Sequence, residues 1–187
     1  MITVDSKQIE RAEELLKNIP NGVSKAVVNA INRAAEGART DAVKKVRERY
    51  YVKAKDIREI IQITKATYEN QAAIIRAKGS PLALSKFKIT PSKPPQKRRK
   101  KPVIARVVRG EGGPIPDAFV AKMESGHIGV FKRAGKSRLP IIQLYGPSVP
   151  QMLGHKSVTA FVEERAQERL EERLEHEIER LLRGVGK

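Results

Sequence analysis

The run Gly126-His-Ile-Gly-Val-Phe-Lys-Arg-Ala-Gly-Lys-Ser-Arg-Leu-Pro-Ile-Ile-Gln-Leu-Tyr-Gly-Pro-Ser-Val-Pro-Gln-Met-Leu153 decides how the chain is read. An apolar segment, Ile128 to Phe131, is followed by a basic glycine turn, Lys132 to Arg138, and by a second apolar segment, Leu139 to Tyr145. That order predicts a β-hairpin with a long, cationic tip carrying Lys132, Arg133, Lys136 and Arg138 around Gly135. Gly146-Pro147 is expected to end the second strand, because proline cannot donate to a ladder.

Outward from this hairpin the periodicity is helical at both ends of the chain. Ser6 to Asn18 reads as a helix with Ile9, Ala12, Leu15 and Leu16 on one face, stopped by Pro20-Asn21-Gly22. A long helix is expected from about residue 22 to 51, with Val27, Ala30, Ile31, Ala34, Ala38, Ala42, Val43, Val46 and Tyr50 in period. Lys44, Lys45, Arg47 and Arg49 crowd its last turns, where cations complement the helix dipole; that reading is preferred there to a DNA-contacting face. A second long helix, 157–183, would be capped by Ser157 and striped by Val158, Phe161, Val162, Leu170, Leu174, Ile178, Leu181 and Leu182. Of these, Leu170, Leu174, Ile178 and Leu181 are candidates for a core or a subunit interface.

Between the helices the period changes to two. After a helical turn at Asp56 to Ile60, hairpins are expected over 61–90 and 103–145. Leu82, Leu84, Phe87 and Ile89 read as one strand, Val103 to Arg109 as another and Ala118 to Met123 as a short one, with Gly110 to Pro116 as a loop. The reading is thus a small antiparallel sheet interrupted by a basic, proline-rich insertion at 91–102.

Charge singles out that insertion. The net charge is +17; residues 76 to 138 carry 17 basic and 3 acidic groups, whereas residues 139 to 187 are nearly balanced at 7 and 8. No acidic residue occurs from Asn70 to Gly110, and Lys97-Arg98-Arg99-Lys100-Lys101 stands behind Pro91, Pro94 and Pro95. Five adjacent like charges repel one another, so a solvated, extended arm is predicted that needs an anionic partner, either DNA or an acidic protein surface.

Enzyme chemistry finds no purchase. His127, His155 and His176 stand far apart in sequence, and Arg180 occupies the place where a zincin helix beginning His176-Glu177 would need its second histidine. Gly110 to Gly113 lacks the lysine of a phosphate loop, and Ser148 lies between prolines without the setting of a nucleophile elbow. The chain has no cysteine, so disulfides and thiolate metal sites are excluded. The opening Met-Ile-Thr-Val-Asp-Ser has no signal-peptide pattern, and no apolar run approaches the roughly 20 residues of a membrane span. No catalytic residue, metal or cofactor is expected. With only 4% aromatic residues, the core must be mostly aliphatic, which favours an oligomer over an isolated monomer.

The phrase formed by Phe131-Lys-Arg133, Gly135, Arg138-Leu-Pro-Ile141 and Leu144-Tyr-Gly-Pro-Ser-Val-Pro-Gln-Met-Leu153 resembles the minor tail protein Z family of tailed phages and prophages. Val52 to Ile61 is similar to the helix-to-sheet junction of such tail proteins. The resemblance implies an α+β fold, a small antiparallel β-sandwich or barrel-like sheet flanked by long N- and C-terminal helices, forming a single tail-completion domain over 1–187. It implies a structural virion protein, assembled in the host cytoplasm. It would complete or terminate the head-proximal end of the tail tube and help head–tail joining. The implied partners are copies of itself in a ring, taken as a hexamer, and other tail or neck proteins, with non-specific contact to packaged DNA compatible with the charge. The alternative that charge alone supports is a sequence-independent DNA-binding accessory protein of a mobile element.

Overall fold

Alanine lets helices approach closely, and the N-terminal half uses this. In the computed structural model, which describes residues 6–97 and 101–185, α1 (Ser6–Leu16) and α2 (Gly22–Arg49) are joined by a turn in which Asn21 takes positive φ. Gly22 fits closely there: a Cβ on it would sit 3.0 Å from the Leu16 Cβ and 3.1 Å from the Ile19 Cβ. On α1 the buried row is Ala12 and Leu16, while Leu15 is 41% exposed, because neighbouring helical residues point about 100° apart. The described residues then continue through α3 (Ala54–Arg58), ten short strands, α4 (Val149–Leu153) and α5 (Lys156–Val185).

The chain divides into two compact units. The helical unit comprises residues 1–45, 61–77 and 155–187. Its core gathers Ala12 and Leu16 of α1, Ala26, Val27, Ala30 and Ala34 of α2, and Leu170, Leu174 and Ile178 of α5; Leu181 packs against it. It also holds the hairpin of β1 (Ile61–Thr64) and β2 (Ile74–Ala77), paired Ile61 to Ala77 through Thr64 to Ile74.

The sheet unit comprises residues 46–60 and 78–154. β3 (Pro81–Ala83) pairs with β10 (Tyr145–Ser148). β4 (Lys88–Thr90), β5 (Val103–Arg106) and β6 (Gly113–Ile115) form a second sheet, and β7 (Ala118–Lys122), β8 (Ile128–Arg133) and β9 (Ile141–Gln143) a third. The class is α+β as expected. Among the described residues, however, the strands form four separate antiparallel sheets of two or three strands rather than one, and none closes into a barrel.

Four local readings are corrected. The expected strand over Leu82 to Ile89 is broken by a 3-10 turn at Leu84–Lys86, because Leu84 and Phe87, three apart, are both buried. Gly110 to Pro116 is not all loop: Gly110 (φ +83°) and Gly112 (φ +144°) reverse the chain so that β6 pairs with β5, Ile115 opposite Val103. Gly146-Pro147 does not end the strand, since β10 runs through it with an irregular register between Tyr145 and Ser148, which spares Pro147 a ladder bond. Ser157 does not cap α5. His155 stands before the helix, its imidazole Nδ1 accepting the Ser157 N–H at 3.3 Å.

Candidate functional site

The hairpin tip and the ends of the basic arm, separated in sequence, meet in the sheet unit. The arm leaves β4 and returns as β5, whose pairing (Thr90 opposite Ile104) holds its two ends together. An open groove of about 750 Å³ lies there, lined by Pro95 and Lys97 on the outgoing side, Lys101 on the returning side, and Asp117, Phe119 and Arg133. Three cations therefore face one carboxylate. Arg98, Arg99 and Lys100 lie outside the described residues.

Arg133 is committed to the tip itself. Its guanidinium donates to the Arg138 carbonyl at 2.6 Å and to the Ser137 carbonyl at 3.4 Å, and lies 5.7 Å from the Phe119 ring centroid. Lys132, Lys136 and Arg138 are exposed. Gln143 donates to His127 Nε2 at 3.0 Å, so that imidazole too is engaged locally.

The helical unit has a groove of its own, also about 750 Å³, lined by residues of α2 and α5 together with Lys65. Glu177, 8% exposed, accepts from Arg180 Nε at 2.9 Å, from the Arg180 terminal amino group at 2.6 Å and from Asn29 at 3.1 Å. The residue that broke the zincin pattern in the sequence is thus the one that neutralises the buried carboxylate. Lys65 reaches Glu36 at 3.0 Å; this hydrogen bond and its charge, reinforced by Arg33 and Arg39, hold the Glu36 carboxyl below its ordinary range. His176 lines this groove. Leu170, Leu174, Ile178 and Leu181 do not join either groove, being in or against the helical core.

Ser148, singled out between two prolines, ends β10 and caps α4. Its hydroxyl accepts the Gln151 N–H and its own N–H donates to the Gln151 side chain at 2.8 Å, a reciprocal capping box. The glutamine three residues on was the signal for it. Among the described residues no three His, Asp or Glu side chains are grouped as a metal would need, and no helix is long and apolar enough to cross a membrane.

Small antiparallel sheets, long helices and cationic surfaces without a metal-ligand cluster among the described residues make an α+β protein whose class comes from its sequence relatives. The family model for Prophage minor tail protein Z (GPZ) matches residues 6–187, and the chain belongs to that family. It is similar to the tail completion protein of Escherichia phage N15, 28% identical over 159 residues that cover 84% of each chain. No solved structure matches it. The family is one of structural tail proteins, so the role is that of a structural protein in the tail of a phage or prophage particle.

Proposed function

We propose that the chain completes the head-proximal end of the tail tube and helps the tail join the head, acting as a homo-oligomeric ring among other tail and neck proteins. The observation that carries this reading is the similarity to a tail completion protein over 84% of both chains. The surfaces are consistent with it. Leu139 and Ile142 are 66% and 55% exposed before and on β9, an edge of the third sheet, Tyr145 of β10 is 56% exposed, and Ile74 and Ile75 of β2 are 39% and 42% exposed. Exposed apolar sheet edges are aggregation risks unless covered, and a head-to-tail ring covers two different patches at once. The cationic tip and arm would then dock on an acidic neighbouring tail or neck protein.

The experiment is to disrupt the gene in its phage or prophage and supply the chain in trans. Without it, tails and filled heads should accumulate unjoined, and supplying it should restore joined particles. Joined, infectious particles formed in its absence would overturn the reading.

A further inference from the structure

Arg47 and Arg49 end α2, and Tyr50 and Tyr51 follow directly outside the helix. This segment pairs with the stretch after β5: Tyr50 bridges Val108, the Tyr51 N–H donates to the Val107 carbonyl at 2.8 Å, and the Arg109 N–H donates to the Arg49 carbonyl at 2.7 Å. The pairing brings distant cations together. Arg109 lies 4.6 Å and Lys88 5.0 Å from the Tyr51 ring centroid, and the Arg109 side chain is fixed by donating from Nε to the Arg47 carbonyl at 2.7 Å. Lys88 is in turn the direct antiparallel partner of Arg106.

Helix-dipole complementarity accounts for Arg47 and Arg49 but not for Lys88, Arg106 and Arg109, which stand on or beside strands. Like charges directly opposite on a ladder are destabilising. Among the described residues, no carboxylate forms an ion pair with any of the five cations. Arg49 Nε is buried and makes no hydrogen bond. A rigid frame that concentrates cations at a cost to its own stability is built for an external anion.

The chemistry of the patch selects the anion. Protein interfaces centre on apolar and aromatic contact, yet none of the large exposed apolar side chains, Leu15, Tyr68, Ile74, Ile75, Leu139, Ile142, Tyr145 and Leu182, belongs to this patch. Of its two rings, Tyr51 is occupied by Lys88 and Arg109, and Tyr50 is buried with Arg49 5.8 Å from its centroid, so no stacking platform for an unpaired base is offered. We infer that Arg47, Arg49, Lys88, Arg106 and Arg109 form a binding site for the phosphodiester backbone of double-stranded DNA, without sequence preference. This site is separate from the arm and the hairpin tip, and it does not depend on the tail-joining role.

The test measures binding of the full chain to a labelled random-sequence duplex across a salt series. The double variant K88Q/R106Q should make the plot of log affinity against log salt shallower by about 1.8, roughly 0.9 for each phosphate no longer neutralised. Its unfolding midpoint should equal or exceed the parent's, since cross-strand repulsion is removed. K17Q/K156Q, which removes two exposed cations of the helical unit, should keep the parent slope. A parent that fails to bind duplex, or a K88Q/R106Q slope equal to the parent's, would overturn the site. Displacement of the duplex by polyglutamate at equal charge concentration, with the same loss in K88Q/R106Q, would overturn the choice of DNA in favour of an acidic protein surface.

Discussion

Asn32 grips Ala66 at both backbone groups: its Nδ2 donates to the Ala66 carbonyl at 3.1 Å, and the Ala66 N–H donates to its Oδ1 at 2.8 Å. Ala66 is buried, so neither backbone group can turn to water freely. The pair fixes the chain leaving β1 against α2 within the helical unit. Asn32→Ala should leave both groups unsatisfied and cost about 2–3 kcal/mol. For a chain of this size that is roughly a 4–12 °C fall in the unfolding midpoint, read by circular dichroism. A midpoint within a degree of the parent would mean that the clamp is replaced by solvent at no cost.

Leu174 is 1% exposed and sits between α1 and α2 residues of the helical core, which separates two roles that its stripe alone could not. Leu174→Ala should cost about 3 kcal/mol, because the apolar side chain is removed and a residual cavity stays behind. Leu182→Ala, at 41% exposure on the same helix, should cost much less. The decisive reading is concentration: a core defect lowers the midpoint equally in dilute and concentrated protein. A deficit that vanishes on concentrating the sample would make Leu174 an interface residue instead.

The long helices were legible because α2 and α5 repeat their apolar residues over many turns, and so were β7 and β8, whose short apolar runs (Ala118 to Ala121, Ile128 to Phe131) are bounded by charged and glycine-containing turns. Shorter segments carried too few periods. Leu82 to Ile89 has the composition of a strand, yet the spacing of Leu84 and Phe87 serves a 3-10 turn, and the two halves enter different sheets. Gly110 to Pro116 looks like loop because its three strand residues include Gly113 and Pro114. The Tyr51 cluster was invisible for another reason. Its members come from a helix end, from β4 and from the stretch after β5, and only long-range pairing, Lys88 with Arg106 and Tyr50 with Val108, makes them neighbours. The arm and the tip were each conspicuous as charge runs, but that Lys97, Lys101 and Arg133 line one groove depends on the β4–β5 and β7–β8–β9 pairings.

The Glu36 carboxyl titrates below its ordinary value of 4.5 because Lys65 hydrogen-bonds it and faces it with a positive charge. A depressed folded-state value means that the pair stabilises the fold above about pH 4.5 and that this contribution is lost as pH falls through the lower, folded value. Lys65→Gln should therefore have a lower unfolding midpoint than the parent near neutrality. The gap should close in more acidic solution, where Glu36 is protonated in both. It should be small, since both side chains are more than a third exposed. A gap that widens on acidification would reverse the assigned sign.

At the hairpin tip the side chains divide by what they already hold. Arg133 clasps the Arg138 and Ser137 carbonyls and lies over Phe119, so reversing its charge would unmake the tip as well as its surface. Lys132, Lys136 and Arg138 are exposed; the hydrogen bond at Arg138 uses its backbone carbonyl, which any residue supplies. Lys136→Glu with Arg138→Glu should therefore leave the unfolding midpoint within about 1 °C, as surface substitutions generally do. If the tip docks on an acidic neighbour, the same variant should lower the yield of joined particles in complementation at least tenfold, because like charges now face each other across the interface. Arg133→Glu should lose both yield and midpoint. Salt distinguishes docking from a steric effect: raising ionic strength during in vitro joining should weaken the parent and relieve part of the defect in the reversed variant. Full joining by the K136E/R138E protein, with a normal midpoint, would remove the tip from the interface and leave the groove of Lys97, Lys101 and Arg133 as the surface to test.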